Sequence, residues 1–399
     1  MTIQLPLAAH DSCLAGNMIA MGVSALAASA EVAKAGPEKR TAALKAMAAR
    51  IRAAAPALME ANKEDMAAAT VKGISGAMLD RLELNASRIE AMAKGIEDVA
   101  ALPDPVGSVM ATWTRPNGLE ISRVRGPIGV IGIIYESRPN VTADAGALCL
   151  RAANAAILRG GSESLKSSRA IAECLRAGLA DSGLPQDAIQ LVQTPDRAAV
   201  GHLLSGLGGK LDVVVPRGGK SLVARVQDEA RVPVIGHLEG LCHTYIHAKA
   251  DPAKAEAIIL NAKLRRVGVC GSTETMLIDA SIAPALLPRL AKALEAAGCE
   301  LRGDERARAI HPMIAATEDD WTTEYLAPIL SVAVVDGLEG AMAHIARYGS
   351  QHTESIVTED DSAAERFLAE VDSAIVMRNA STQFADGAEF GMGAEIGIA

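Results

Sequence analysis

Pro127-Ile128-Gly129-Val130-Ile131-Gly132-Ile133-Ile134-Tyr135 is an unbroken apolar run, and the polar Glu136-Ser137-Arg138-Pro139-Asn140 follows it directly. A run with no alternation of apolar and polar positions suits a strand buried on both faces, as in a parallel sheet. The pattern then repeats. A helix is expected from about Thr142, then a strand Ala155-Ala156-Ile157-Leu158, a helix over 162–180, a strand over 188–192, a helix over 196–204 and a strand over 211–215. Strand and helix in turn predict a parallel sheet of Rossmann-like type, with ligands at the carboxyl ends of its strands.

Three loops at those ends carry arginine beside glycine or proline: Glu136-Ser137-Arg138-Pro139-Asn140, Arg159-Gly160-Gly161-Ser162-Glu163 and Pro216-Arg217-Gly218-Gly219-Lys220-Ser221. Glycine lets backbone N–H groups approach an anion, and a helix N-terminus behind it favours negative charge, so these loops suit phosphate. Singly, each is also an ordinary strand-to-helix turn. Together they point to a nucleotide, bound without the usual fingerprint. The first turn has no G-x-G-x-x-G, and Gly219-Lys220-Ser221 lacks the first glycine of a P-loop, because Val214 stands there.

Upstream, residues 17–102 are rich in Ala, Met, Leu, Lys and Glu, with Leu44, Met47, Ile51 and Ala55 at helical spacing. Gly36-Pro37, Gly73 with Gly76, and Pro103 with Pro105 break this helical region. Two alternating runs, 108–114 and 119–124, flank Arg115-Pro116-Asn117-Gly118 and predict a β-hairpin. A lone hairpin is marginal in water, so this one needs a surface to pack on. After Pro233 the pattern resets into a second unit: strands over 243–247, 275–278, 331–335, 355–357 and 373–377 alternate with helices over 252–263, 283–297, 338–348 and 362–370.

The second unit contains Asn261-Ala262-Lys263-Leu264-Arg265-Arg266-Val267-Gly268-Val269-Cys270-Gly271-Ser272-Thr273-Glu274-Thr275. Cys270 falls on a glycine-flanked loop between a helix and a strand; positive charge from Lys263, Arg265 and Arg266 would favour the nucleophilic thiolate, and the same residues read equally as solvated surface charges. Taken alone Cys270 reads more readily as a small buried apolar residue, the usual fate of a free cysteine. Its position where two α/β units meet places it in a cleft, where ligand sites concentrate.

Composition narrows the function. The 399-residue chain exceeds the size of one core, so two or three domains are expected; it is 50% hydrophobic but only 2% aromatic, which asks for a core of Ala, Val, Leu, Ile and Met. A net charge of -9 and no basic run argue against nucleic acid or an anionic membrane surface as partner. Six scattered cysteines with no CxxC read as reduced thiols rather than a disulfide framework, and eight histidines without HExxH or a Cys/His cluster give no expectation of a metal. No basic n-region precedes a long apolar core and no stretch reads as a membrane span, so a cytoplasmic protein acting on small molecules is expected.

Four groups of residues carry a family resemblance. They are Val124-Arg125-Gly126-Pro127-Ile128-Gly129-Val130; Glu136-Ser137-Arg138-Pro139-Asn140-Val141; Asn261-Ala262-Lys263 with Gly268-Val269-Cys270 and Glu274-Thr275; and Asn379-Ala380-Ser381-Thr382 with Asp386-Gly387 and Glu389-Phe390-Gly391. In this order, across nearly the whole chain, they resemble the gamma-glutamyl phosphate reductases (glutamate-5-semialdehyde dehydrogenases) of the aldehyde dehydrogenase superfamily. The resemblance implies an α/β protein with an NADP-binding domain over 1–107 and 126–241, a catalytic domain over 242–372 and a small β oligomerisation element over 108–125 and 373–399. It further implies reduction of L-glutamyl 5-phosphate by NADPH to L-glutamate 5-semialdehyde and phosphate, the second step of proline biosynthesis from glutamate. A glutamate 5-kinase would act upstream, and the protein would be a homo-oligomer if its C-terminus is complete.

By the same resemblance Cys270 attacks the acyl phosphate and holds the glutamyl group as a thioester, and Asn140 donates to the oxyanion together with the Cys270 backbone N–H. Asn140 reads equally as a turn-capping residue. Implied cofactor contacts are Ser137, Arg138, Pro139, Arg159, Gly160, Gly161, Ser162, Pro216, Arg217, Gly218, Gly219 and Ser221. Among them Arg159 replaces the superfamily's usual lysine and would pair with the extra phosphate of NADP. Ser381, Thr382 and Glu389 match substrate contacts but serve turn closure equally well.

Some positions depart from the pattern. Glu239 lies near the general base of hydrolytic relatives, yet a reductase has no thioester to hydrolyse, so it stays outside the catalytic set. Gln383 stands where arginine is often found. The family's chain continues past Gly393-Ala394-Glu395-Ile396-Gly397-Ile398, whereas this one ends at Ala399; a truncated interface segment and a hairpin short of a partner strand are expected. A CoA-acylating aldehyde dehydrogenase using the same thioester chemistry and a catalytically silent binding homologue are the alternatives.

Overall fold

Alanine, leucine and methionine fold the first hundred residues into α1 (Leu7–Lys34), α2 (Pro37–Ala53), α3 (Ala55–Val71), α4 (Gly76–Leu82) and α5 (Ala86–Ala101). The computed structural model describes residues 7–74, 76–136 and 138–395. By length and apolar composition Cys13–Lys34 of α1 is long enough to cross a membrane, contrary to the reading of the sequence. Leu14, Met18 and Ala25 are instead buried in one cluster with Val130 and Ile134.

β1 (Val109–Thr114) and β2 (Glu120–Val124) form the expected antiparallel hairpin, with Trp113 opposite Ile121. Gly118 at the turn takes φ 84°, a left-handed conformation that favours glycine. Neither strand buries a face, and Val109, Met110 and Trp113 are 60%, 54% and 40% exposed.

The βα alternation follows as β3 (Val130–Tyr135), α6 (Val141–Arg151), β4 (Ala155–Arg159), α7 (Leu165–Asp181), β5 (Ile189–Leu191), α8 (Ala198–Leu204), β6 (Val213–Arg217) and α9 (Lys220–Glu229). The four strands are parallel in the order β5-β4-β3-β6, and β3 is buried at every residue. The order reverses between β3 and β6, so the ligand crevice of a doubly wound sheet is expected at the ends of those two strands. Small residues bring helices close: a side chain on Gly178 of α7 would lie 2.6 Å from the Met47 backbone nitrogen of α2.

The second compact unit is His237–Met392; the first comprises the chain up to Gly236 and the segment that begins at Gly393. The second contains β7 (Cys242–Ile246), α10 (Pro252–Leu264), β8 (Thr273–Asp279), α11 (Ala283–Ala296), β9 (Glu300–Gly303), α12 (Glu305–Ile310), β10 (Ile314–Ala315), β11 (Ile329–Val335), α13 (Gly337–Tyr348), β12 (Thr353–Val357), α14 (Asp361–Glu370) and β13 (Ile375–Arg378). Its seven strands run in the order β10-β9-β11-β8-β7-β12-β13, all parallel. The short β9, α12 and β10 were not anticipated, since four and two residues around Arg302 carry no strand periodicity. β13, expected in the oligomerisation element, pairs with β12 as an edge strand of this sheet.

Buried Asp65 of α3 ties the first unit's layers together. Its carboxylate accepts from the backbone N–H groups of Lys166 (3.3 Å) and Ser167 (2.7 Å) and from Ser167 Oγ (2.7 Å), so it caps the N-terminus of α7 from another helix. Hydrogen bonds to a charged group are each worth about 1.5–3 kcal/mol. Asp65→Ala is therefore expected to destabilise the protein by about 2–4 kcal/mol and Asp65→Asn by less, read from urea unfolding midpoints.

Candidate functional site

In the first unit, the carboxyl ends of β3, β4 and β6 converge on a cavity of about 450 Å³ lined in part by Glu136, Arg159, Gly161, Ser162 and Ser221. Arg197 and Arg225 also line it, and sequence reasoning missed both because neither lies in a glycine-bearing loop. Arg159 ends β4 with its side chain buried, its Nη2 donating to Pro195 O at 3.3 Å while its Nε has no partner among the described residues. Burial holds its pKa below the ordinary arginine value, with Glu163 and Glu136 pulling the other way. A buried donor left unpaired costs about 1–3 kcal/mol, so this arginine is suited to an incoming acceptor.

Glu136 and Gly218 meet across the strand-order reversal. The Gly219 N–H donates to Glu136 Oε2 at 3.1 Å, and a side chain on Gly218 would lie 2.6 Å from that same oxygen. A carboxylate thus sits on the N-terminus of α9, where a phosphate would find the same donor. Gly160 packs on the Tyr135 ring, Pro139 is buried ahead of α6, and Pro216 and Arg217 close β6. Ser137 lies outside the described residues. These features fit a phosphate-bearing nucleotide.

Arg138 and Asn140 line a different cavity of about 540 Å³, with Arg81, Arg88 and Asp144. Burial, with Arg217 and Arg81 nearby, lowers the Arg138 pKa to about 10. Asn140, the N-cap of α6, donates from Nδ2 to Asp144 Oδ2 at 2.8 Å, and burial raises the Asp144 pKa against that bond. The amide is thereby held in one orientation.

In the second unit Cys270 is partly exposed on the turn between α10 and β8. The segment ahead of β7 pins it. An added side chain at Gly240 would lie 2.7 Å from Cys270 Cα and overlap the Cys270 carbonyl, while Cys242 Sγ donates to that carbonyl oxygen at 3.1 Å. Burial pushes the Cys242 thiol well above its usual pKa, so it remains a donor. His352, just before β12, has Nδ1 3.5 Å from Cys242 Sγ and 2.9 Å from Thr353 Oγ1, and its ring meets that of His237 edge-on at 4.5 Å. Burial lowers both imidazoles, His352 to about 4. The Cys270 sulfur and one ring nitrogen each of His237 and His352 lie within 4.8 Å of one another. Gly240, Cys242 and the two histidines escaped sequence reasoning, because only the pairing of β8, β7 and β12 brings them together.

The charges beside the loop differ from their sequence reading. Lys263 is fully buried, its Nζ 2.5 Å from Glu274 Oε2, so its charge is balanced rather than offered to the thiol. Burial raises the Glu274 pKa to about 7, with Lys263 opposing. Arg265 pairs with Glu389 at 2.7 Å, and Arg266 is exposed. Of the residues expected to meet substrate, Ser381 accepts from Gln383 N (3.2 Å), Thr382 Oγ1 is 2.8 Å from Thr273 Oγ1, and Glu389 holds Arg265. Thr382 also lies against the cysteine loop, its carbonyl 3.3 Å from where a Gly271 side chain would stand. Gln383, in place of the often-found arginine, donates to Ala262 O at 2.9 Å.

A family model described as "Aldehyde dehydrogenase family" matches residues 10–325. The chain is 65% identical to a Hyphomonas neptunium protein named "Gamma-glutamyl phosphate reductase", over 98% of this chain and 91% of that one. The crystal structure of a gamma-glutamyl phosphate reductase from Thermotoga maritima matches with a TM-score of 0.92 at 41% identity, covering 96% of this chain and 92% of that one. An acetylating aldehyde dehydrogenase from Geobacillus thermoglucosidasius, 19% identical with a TM-score of 0.64 over 98% of this chain and 91% of its own, shares the fold.

Removing one partner of a buried ion pair strands the other charge, at a cost of about 3–5 kcal/mol, whereas replacing both with apolar groups of similar volume is often near neutral. Glu274→Ala is expected to destabilise the chain by about that amount, and Lys263→Met with Glu274→Leu to recover most of the loss. Urea unfolding midpoints of the wild type, the single variant and the double variant measure both.

Proposed function

This chain belongs to the aldehyde dehydrogenase family and, within it, to the gamma-glutamyl phosphate reductases, and from that premise we propose that it reduces L-glutamyl 5-phosphate to L-glutamate 5-semialdehyde and phosphate, with NADPH as reductant. That is the second step of proline synthesis from glutamate. The observation that carries the reading is the seat of Cys270: a partly exposed thiol on a loop whose carbonyl Gly240 and Cys242 fix in place.

In this reading the Cys270 thiolate attacks the acyl carbon, the bond from that carbon to the phosphate oxygen breaks, phosphate leaves and a thioester remains on Sγ. NADPH, when bound, supplies the hydride that takes the acyl carbon to the aldehyde level. Cys270 is then expelled as thiolate while the carbonyl re-forms, ready for another acyl phosphate. Asn140 is the candidate amide donor to the oxyanion, its plane set by Asp144; a preorganised donor of this kind contributes about 10²–10³ in kcat.

Arg159 is assigned to the extra phosphate of NADP, and the turns at Gly160–Ser162 and Pro216–Ser221 to the rest of the nucleotide, with the first unit as cofactor domain and the second as catalytic domain. Their support is the unpartnered Arg159 Nε and the glycines that face Glu136. Ser381, Thr382 and Glu389 are assigned to the substrate. The exposed apolar hairpin of β1 and β2 is the proposed subunit surface of a homo-oligomer. We place the protein in the cytoplasm, with a glutamate 5-kinase as supplier of the acyl phosphate.

The test is the reverse reaction: absorbance of NADPH formed from the semialdehyde, phosphate and NADP. Cys270→Ala is expected to lower turnover to background while NADPH binding, followed by fluorescence, survives. Turnover near wild type in that variant, or CoA serving better than phosphate as acceptor, would overturn the assignment. Arg159→Ala is expected to weaken NADPH by about ten-fold or more and NADH much less, the loss of one charge-assisted phosphate contact. Equal weakening of the two would remove Arg159 from recognition of the extra phosphate.

A further inference from the structure

The sulfur of Cys270 and a ring nitrogen from each of His237 and His352 share a space within 4.8 Å, and none of the three belongs to a short metal-binding motif. We infer that this corner of the second unit binds a borderline-soft divalent cation of the Zn²⁺ class through His237, Cys270 and His352, with a fourth position left to water. Two imidazoles and a thiolate make a donor set that suits zinc and not magnesium or calcium, which take oxygen ligands. Three protein ligands leave a fourth position open, unlike the closed four-ligand set of a structural zinc site.

Two observations independent of that spacing aim the ligands. The His237 ring nitrogens are buried, and the Glu239 main chain is a hydrogen-bond partner of the ring, which leaves the other nitrogen to face Cys270 and His352. His352 Nδ1 is engaged by Thr353 and Cys242, so Nε2 is the nitrogen offered to a ligand. An outer contact of that kind orients metal-ligating histidines. Zinc bonds of about 2.0–2.3 Å require ligand atoms about 3.5 Å apart, so the three side chains close by about 1 Å on binding. The cation replaces the proton of the Cys270 thiol, which passes to solvent, one per cation bound.

A cation here caps the sulfur and stops attack on the acyl phosphate. That consequence rests on Cys270 as the acyl-carrying thiol; the binding itself does not. The test uses the full chain, stripped with chelator under reductant, dialysed against Zn²⁺ and measured for metal content, with Co²⁺ as a spectroscopic probe. One zinc per chain and a thiolate-to-cobalt charge-transfer band are expected. Cys270→Ser should abolish the band, and His237→Ala and His352→Ala should each weaken Zn²⁺ by at least about ten-fold. Alkylation of Cys270 in the histidine variants verifies that the loop is intact; Zn²⁺ should slow it in the wild type and much less in those variants. Zinc content unchanged in Cys270→Ser, or alkylation indifferent to Zn²⁺, overturns the site. Bound zinc with undiminished turnover leaves the metal site standing and counts against Cys270 as nucleophile.

Discussion

Residue 240 has no room for a side chain, and the geometry around the reactive loop follows from that exclusion. The Cys270 main chain lies where a Cβ would be, so the loop before β8 rests directly on the segment that starts β7. The Cys242 thiol then donates to the carbonyl that Gly240 admits, which fixes the peptide plane at its oxygen. Deeper in the sheet the contact continues as a line of hydroxyls, Thr244 to Thr273 at 2.7 Å and Thr273 to Thr382 at 2.8 Å. Each is fully buried, so each needs its neighbour.

The base of the loop is closed by charge. Lys263, in the last turn of α10, meets Glu274, the second residue of β8, and the segment between them must double back over their pairing. Taking two ions out of water costs several kcal/mol each, and attraction offsets this only when the geometry is good. At 2.5 Å with both side chains buried the geometry is good, yet burial remains the largest influence on Glu274 and its pKa stands at about 7. The pair is therefore weak evidence for added stability and better evidence for position: with both charges buried, a slipped register would strand one of them.

The two sheets use opposite edges. In the first, phosphate-friendly turns lie at the carboxyl ends of β3, β4 and β6, where helix N-termini arrive and backbone N–H groups point outward. In the second, Cys270, Cys242 and His352 stand at the amino ends of β8, β7 and β12. The chain enters the Cys270 loop from the C-terminal end of α10 and leaves it into β8, so no helix begins at the thiol. Its neighbours are instead groups that strand pairing delivers: one glycine, one thiol and two imidazoles.

That difference decides what could be read from sequence. The turns of the first sheet are local, with glycine, arginine and a helix start in consecutive residues, so Arg159, Gly161, Ser162 and Ser221 were legible and line one cavity. The alternation of strands and helices was legible for the same reason, since period and composition act over a few residues; β9 and β10 were too short to show either. Cys270 was legible only as a loop cysteine. Its companions depend on register, in which Cys242 faces Thr273 and His243 faces Glu354. Those two pairings align the starts of three strands, so the residues just ahead of each become neighbours however far apart they are in the chain. The charge of Lys263 was misread for a related reason: its partner Glu274 lies on the far side of the cysteine loop, and a lysine seen without its counter-ion looks available when it is already spent.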